Sequence, residues 1–183
     1  WETAKRELHE ETNITNAYLS LIGTFGSAGR DPRGWIISNT FLALVDAGNS
    51  KLRAGTDAWE AKWFAVDMKE KEVKKNLSED HAEIETEYEL CLTAETSDEK
   101  IVAVVKEYRQ FREYHETVRY EIVDQGSLAF DHGKIIFYAW QQLRDMVERE
   151  PKNIFDLMPE LFTLQQLQNA MELVTGQELL TAN

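Results

Sequence analysis

The sequence predicts an α/β protein: a sheet with an acidic N-terminal helix, a β extension and a helical C-terminal domain. Three observations predict it. Residues 1–14 place apolar and acidic side chains at helical spacing. Residues 17–123 hold β-branched and alternating runs punctuated by glycine-containing turns, and residues 132–176 return to helical periodicity with recognisable caps. A chain of 183 residues has room for one large or two small domains, which we place at 1–126 and 127–183.

The composition, 43% hydrophobic and 29% charged, is that of a globular protein rather than a fibrous or disordered one. No run approaches a membrane span and no signal peptide is visible, so no membrane partner is expected. Cys91 is the single cysteine, which rules out an internal disulfide framework and fits a reducing, cytoplasmic compartment. The net charge of −13 repels nucleic acid and bare phosphate unless a metal ion or a local basic patch intervenes.

The first element, residues 1–14, contains the run Arg6-Glu-Leu-His-Glu-Glu11. Glu7, Glu10 and Glu11 sit at i, i+3 and i+4, which gathers three carboxylates on one side of a helix. Trp1, Ala4 and Leu8 make the opposing apolar stripe, and Arg6 and Glu10 form an i, i+4 pair. Such a face is either simply solvated or a set of hard oxygen donors for a divalent cation, the kind of ion with which proteins handle diphosphates.

Residues 17–25 read as a strand and residues 26–34 as a loop, with glycines and Pro32 to turn on and Arg30, Asp31 and Arg33 to offer. Guanidinium forks match phosphate oxygens, which makes Arg30 and Arg33 candidate ligand contacts; ion pairing with neighbours is the plain alternative. The long β-branched and aromatic run 35–46 suits a buried central strand, and Trp35 at its start serves either packing or base stacking. A turn is expected at 47–49 and a closing strand at 58–67.

The lysine- and glutamate-rich stretch 68–81 reads as a linker or short helix. Residues 82–92 alternate strictly, with Ala82, Ile84, Thr86, Tyr88, Leu90 and Leu92 on one face. Glu83, Glu85, Glu87 and Glu89 fall on the other, read as fully solvated. Alternate strand residues lie too far apart to share one ion, so the glutamate row is no metal site. Strands near 101–111 and 116–123 complete a three-stranded antiparallel meander, closed by a turn at Asp124-Gln-Gly126. Ile136, Ala139, Trp140, Leu143, Met146 and Val147 then define an amphipathic helix that Pro151 stops, with Asp131 and His132 at its start. Thr163 and Gln166 form a capping box for a second helix, which Gly176 ends, with a new element expected near Glu178.

These pieces, in this order, resemble the Nudix family, hydrolases of nucleoside diphosphates linked to another group. Arg6, Glu7, Leu8, Glu10, Glu11 and Ile14 match the second half of the family signature in register. Asn13 stands where the family has Gly, and Asn tolerates the left-handed backbone better than most residues. The leading Gly and Glu of the signature would precede Trp1, so the chain is expected to be part of a longer protein. The loop Gly29-Arg-Asp-Pro-Arg-Gly34 and the strand Glu60–Asp67 look like those of the ADP-ribose-type members.

The resemblance implies a Nudix-type α/β/α sandwich in which Glu7, Glu10 and Glu11 hold Mg²⁺ or Mn²⁺. It also implies that Arg6 and Glu10 act in catalysis, Arg30, Asp31 and Arg33 bind a ligand such as ADP-ribose, and the protein is a homodimer. Residues 128–132 and 162–168 look like the winged-helix tail of Nudix-related transcriptional regulators of NAD metabolism, which makes an ADP-ribose sensor bound to operator DNA the alternative function. Residues 131–183 hold four basic and eight acidic side chains, and the basic recognition helix of such regulators would begin where this sequence stops, at Asn183.

Overall fold

The computed structural model describes residues 1–46, 48, 50, 53, 61–78 and 80–179. Along the chain lie α1 (Glu2–Thr12), β1 (Tyr18–Phe25), β2 (Ser38–Leu44), β3 (Phe64–Leu77), β4 (His81–Ala94), β5 (Lys100–Arg112) and β6 (His115–Asp124). Then come α2 (His132–Arg149), a 3-10 segment (Pro151–Leu157) and α3 (Leu164–Thr175). The chain divides into two compact units, one of residues 1–25, 37–61 and 139–183, the other of 26–36 and 62–138.

In the first unit β1 and β2 form an antiparallel pair running from Tyr18↔Leu44 to Phe25↔Ser38, with a bulge between Leu21 and Gly23. The strand predicted at 35–46 is shorter: it begins at Ser38, and only Leu44 in it is buried. Trp35 and Ile37 stand 76% and 64% exposed, so the run does not open as a buried central strand. The core of this unit is Leu44, Leu143, Val147, Ile154 and Val174, with Met146, Leu167 and Met171 packed against it.

Pro151 ends α2 as expected, because it has no N–H for the helix ladder. From Pro151 onward the chain winds into a 3-10 segment rather than a loop, anchored by Ile154 at 2% exposure and by Asn153, which donates to the Met146 carbonyl at 3.0 Å. The capping box of α3 is formed: Gln166 N–H donates to Thr163 Oγ1 at 3.2 Å and Thr163 N–H to Gln166 Oε1 at 2.8 Å. Gly176 closes α3 at φ +69, and Arg144 donates to the Thr175 carbonyl at 2.5 Å. The expected element near Glu178 falls on residues without assigned structure and on 180–183, which lie outside the described residues.

In the second unit β3, β4, β5 and β6 form one four-stranded antiparallel sheet. The stretch 68–81 corrects the sequence reading: residues 68–77 are strand, paired with β4 from Phe64↔Ala94 to Leu77↔Ala82 across a bulge between Glu70 and Glu72. Its charge hid it. β3 is an edge strand, and lysines are what an exposed edge carries to discourage pairing with other chains. The meander therefore has four strands. Of the strand expected at 58–67, residues 58–60 lie outside the described residues, as do Ala47 and Asn49 of the turn before it.

The glutamate face is also corrected. Glu83, Glu85, Glu87 and Glu89 are half-buried rather than fully solvated. Lys106 bonds Glu85 at 2.7 Å, Lys71 pairs with Glu89 at 3.2 Å, and Gln110 donates to Glu83 at 3.1 Å. The Lys106 hydrogen bond holds the Glu85 carboxyl below its ordinary range. On the other face Leu90, Leu92 and Ala103 pack with Val66, Ile122 and Ile136. Fully buried Phe137 meets the rings of Tyr88 and Tyr120 at 5.0 and 5.2 Å.

Candidate functional site

The carboxylate helix lies in the first unit. α1 ends at Asn13, which takes up the left-handed conformation (φ 62, ψ 18) and donates its N–H to the His9 carbonyl at 2.8 Å. Asn is thus accommodated at the helix stop where a glycine is otherwise the strain-free choice. No residue of α1 is buried; Ala4, Leu8 and Thr12 are half-buried on one side. Arg6 sits within the acidic group, its Nη2 on Glu7 Oε1 at 2.5 Å and its Nη1 on Glu10 Oε2 at 2.9 Å. The Glu7 and Glu10 side chains are about half exposed, at 47% and 52%, and Glu11 is exposed.

These side chains hold one another instead of converging on a point. Among the described residues no three Asp, Glu, His or Cys side chains are gathered as a cation would gather them. The three carboxylates are nevertheless the hard oxygen donors that a divalent ion takes. Their oxygens are accessible, lie within one helical turn, and are engaged only by exposed ion pairs, which contribute little and are readily exchanged for a doubly charged partner. Beside the end of the helix opens a cleft of about 590 Å³, lined among others by Asn13, Tyr18, Asp46, Asp156 and Glu160. Its acidic lining repels an anion that arrives without a cation.

The arginine loop lies in the second unit, and its residues have different roles. The Asp31 carboxylate is buried and accepts from three donors of Arg33, its backbone N–H at 2.9 Å, Nε at 3.0 Å and Nη2 at 2.6 Å. These bonds lower its pKa to about 2. Arg30 turns inward: its Nε and Nη2 each donate to Asp131 at 2.9 Å, and its side chain is 8% exposed. Arg33 turns outward, 71% exposed, with its guanidinium 5.7 Å from the centre of the Phe130 ring. The Trp35 ring is exposed but anchored, its Nε1 donating to the Gly26 carbonyl at 2.7 Å.

Arg6 thus joins Glu7 and Glu10, with Glu11 outside that pairing; on the loop Asp31 is joined to Arg33, and Arg30 to Asp131. Asp131 escaped the sequence reading as a partner of the loop. It stands 101 residues from Arg30, and an acidic residue before a helix is explained locally as a cap. No signal of spacing or periodicity links the two.

A crystal structure of a MutT/Nudix family protein from Enterococcus faecalis matches 95% of this chain and 55% of its own at a TM-score of 0.60, with 22% identity. The fold is of the Nudix type. The Arg6-Glu-x-x-Glu-Glu11 run on α1 is the segment that resembles the signature of that family. An ADP-ribose pyrophosphatase of Methanocaldococcus jannaschii is 39% identical over 87 residues, 48% of this chain and 47% of its own. The ADPR-responsive transcriptional repressor NtrR of Acinetobacter baylyi is 25% identical over 176 residues, 96% of this chain and 48% of its own. The chain therefore spans about half the length of the curated relatives it matches. No family profile matches it. Among the described residues no helix is long and apolar enough to cross a membrane.

Proposed function

We propose that this chain belongs to a metal-dependent Nudix hydrolase that cleaves the diphosphate of ADP-ribose or a related nucleotide sugar in the cytoplasm. The observation that carries the reading is the accessible carboxylates of α1, with Glu7, Glu10 and Glu11 within about one turn and Arg6 paired to Glu7 and Glu10. The 39% identity to a protein named ADP-ribose pyrophosphatase supports the substrate class. Glu7, Glu10 and Glu11 are the residues to hold Mg²⁺ or Mn²⁺, which when bound neutralises phosphate charge and makes a bound water a stronger nucleophile. Arg6 keeps the carboxylates of the helix in register and balances their mutual repulsion. Glu10 is the candidate for taking the proton of the attacking water. On the loop, the exposed guanidinium of Arg33 is the group available for a phosphate oxygen, while Arg30 and Asp31 hold the loop in shape.

A second reading rests on a different observation, the similarity to NtrR along 96% of the chain. In that reading residues 1–126 sense ADP-ribose and the helical segment 127–183, winged-helix-like and joined to further residues, binds an operator as a homodimer. The net −4 of residues 131–183 requires the basic contacts to come from elsewhere in the protein.

One experiment separates the two. The full-length protein is incubated with ADP-ribose and Mg²⁺ or Mn²⁺, and AMP release is followed. Turnover supports the hydrolase; tight binding of intact ADP-ribose without turnover sinks it and favours the sensor. A gel shift on the protein's own promoter that weakens with salt and responds to ADP-ribose supports the regulator.

A further inference from the structure

The loop 26–36 and the start of α2 meet through two residues of each. Arg30 makes a bidentate pair with Asp131, with both side chains largely buried at 8% and 16% exposure. Ile135 N–H donates to the Asp131 carbonyl at 3.1 Å, so the backbone of Asp131 opens the helix while its carboxylate is committed to the loop. Next to it, Phe130 has φ +52, a left-handed conformation that a bulky residue rarely adopts. Its ring centre is 5.7 Å from the Arg33 guanidinium and 5.8 Å from the His132 ring. The strained residue and the helix opening are therefore both held by arginines of the loop. Arg33 in turn is held by Asp31 through Nε and Nη2, which leaves the rest of its exposed fork for a phosphate oxygen.

We propose that Asp131 is a positioning residue of the ligand loop. Through Arg30 it ties residues 26–36 to the first turn of α2, so that binding of a nucleoside diphosphate at Arg33 orders both segments together. The ligand half of this proposal rests on the function proposed above; the tie itself does not. A structural staple alone would change stability. A positioning residue also changes affinity, and it makes the helix start respond to a ligand that touches only the loop.

Hydrogen exchange of the amides in 27–36 and 132–135, measured with and without ADP-ribose, tests both halves. In the free full-length protein, Asp131→Asn raises exchange in both segments together. ADP-ribose slows both segments in the unmodified protein. Asp131→Asn raises KM or Kd by about tenfold while kcat stays within about twofold. Arg30→Lys, which keeps a charge on Asp131 but loses the fork, loosens both segments in the same way and stands in should Asp131→Asn fail to fold. Exchange that rises in one segment only overturns the tie, as does ligand protection of the loop with no change at 132–135. Absence of any ADP-ribose binding by the unmodified protein refutes the proposed function instead, and the free-protein comparison still decides the tie.

Discussion

Gly126 offers a sharp test of how the sheet hands the chain over to α2. It sits after β6 at φ +56, its N–H taken by the Asp124 carboxylate at 2.8 Å. A Cβ built there falls 2.1 Å from the Val102 carbonyl oxygen and 3.2 Å from its carbon, both backbone atoms of β5. Gly126→Ala therefore combines two penalties: left-handed strain of about 1–2 kcal/mol and an overpacking cost of about 1–3 kcal/mol. Gly29→Ala is the internal control. Gly29 is also left-handed, at φ +79, but a Cβ there meets nothing within 4 Å. It isolates the strain term. Urea denaturation reads the difference. With a slope of about 1.5 kcal/mol per molar, a loss of about 4 kcal/mol at Gly126 lowers the midpoint by more than 2 M, against roughly 1 M or less for Gly29. If the two variants unfold within about 0.3 M of each other at unchanged slope, the close approach to Val102 is refuted.

Four further outcomes are expected. Glu10→Gln and Glu11→Gln each lower ADP-ribose turnover by about 10²-fold or more with circular dichroism unchanged, because both side chains are on an exposed helix face; a variant with full activity removes that residue from the chemistry. The Asp31 carboxyl, lowered from 3.8 to about 2 by Arg33, binds its proton more weakly when folded than when unfolded. Its contribution is present above pH 3.8 and is lost as pH falls through about 2, so an NMR titration with a midpoint at 3.8 contradicts the Asp31–Arg33 bond. Phe137→Ala removes a fully buried ring and costs about 3–5 kcal/mol by denaturant unfolding, with a loss below 1 kcal/mol speaking against the Tyr88–Phe137–Tyr120 cluster. Thr163→Ala loses the acceptor for Gln166 N–H and costs about 1 kcal/mol, whereas Thr163→Ser restores most of it on the same thermal melt.

The acidic helix and the arginine loop meet phosphate differently. A chain of net charge −13 binds a diphosphate only if positive charge is supplied locally. On α1 Arg6 is already shared between Glu7 and Glu10, so in the proposed hydrolase that charge comes from a bound cation. On the loop it comes from Arg33, whose exposed guanidinium keeps part of its donor fork outside the Asp31 pair. Arg30 looks equivalent to Arg33 in the sequence, yet its inward bidentate pair with Asp131 makes it part of the scaffold.

Elements whose signal is local were legible in the residues. The helix of 1–14, the strand from Tyr18, the alternation of β4, the capping box at Thr163 and the stop at Gly176 all depend on neighbours within four positions. Elements whose signal is an exposed edge were not: residues 68–77 form a strand because β4 pairs with them, while their own lysines and glutamates show no apolar period. The row Glu83 to Glu89 reads as bare acidity until Lys71, Lys106 and Gln110 arrive from neighbouring strands.

The sequence by itself determined the side chains on offer: an acidic helix ending at Asn13, and a loop carrying Arg30, Asp31 and Arg33. Helical spacing of 3.6 residues gathers Glu7, Glu10 and Glu11 whatever the rest of the chain does. Only the tertiary structure decided how each loop residue is used, because ion pairing depends on distance through space. Asp131 is 101 residues from Arg30 along the chain and 2.9 Å from it in the fold. That closeness turns one arginine into structure and leaves Arg33 facing solvent.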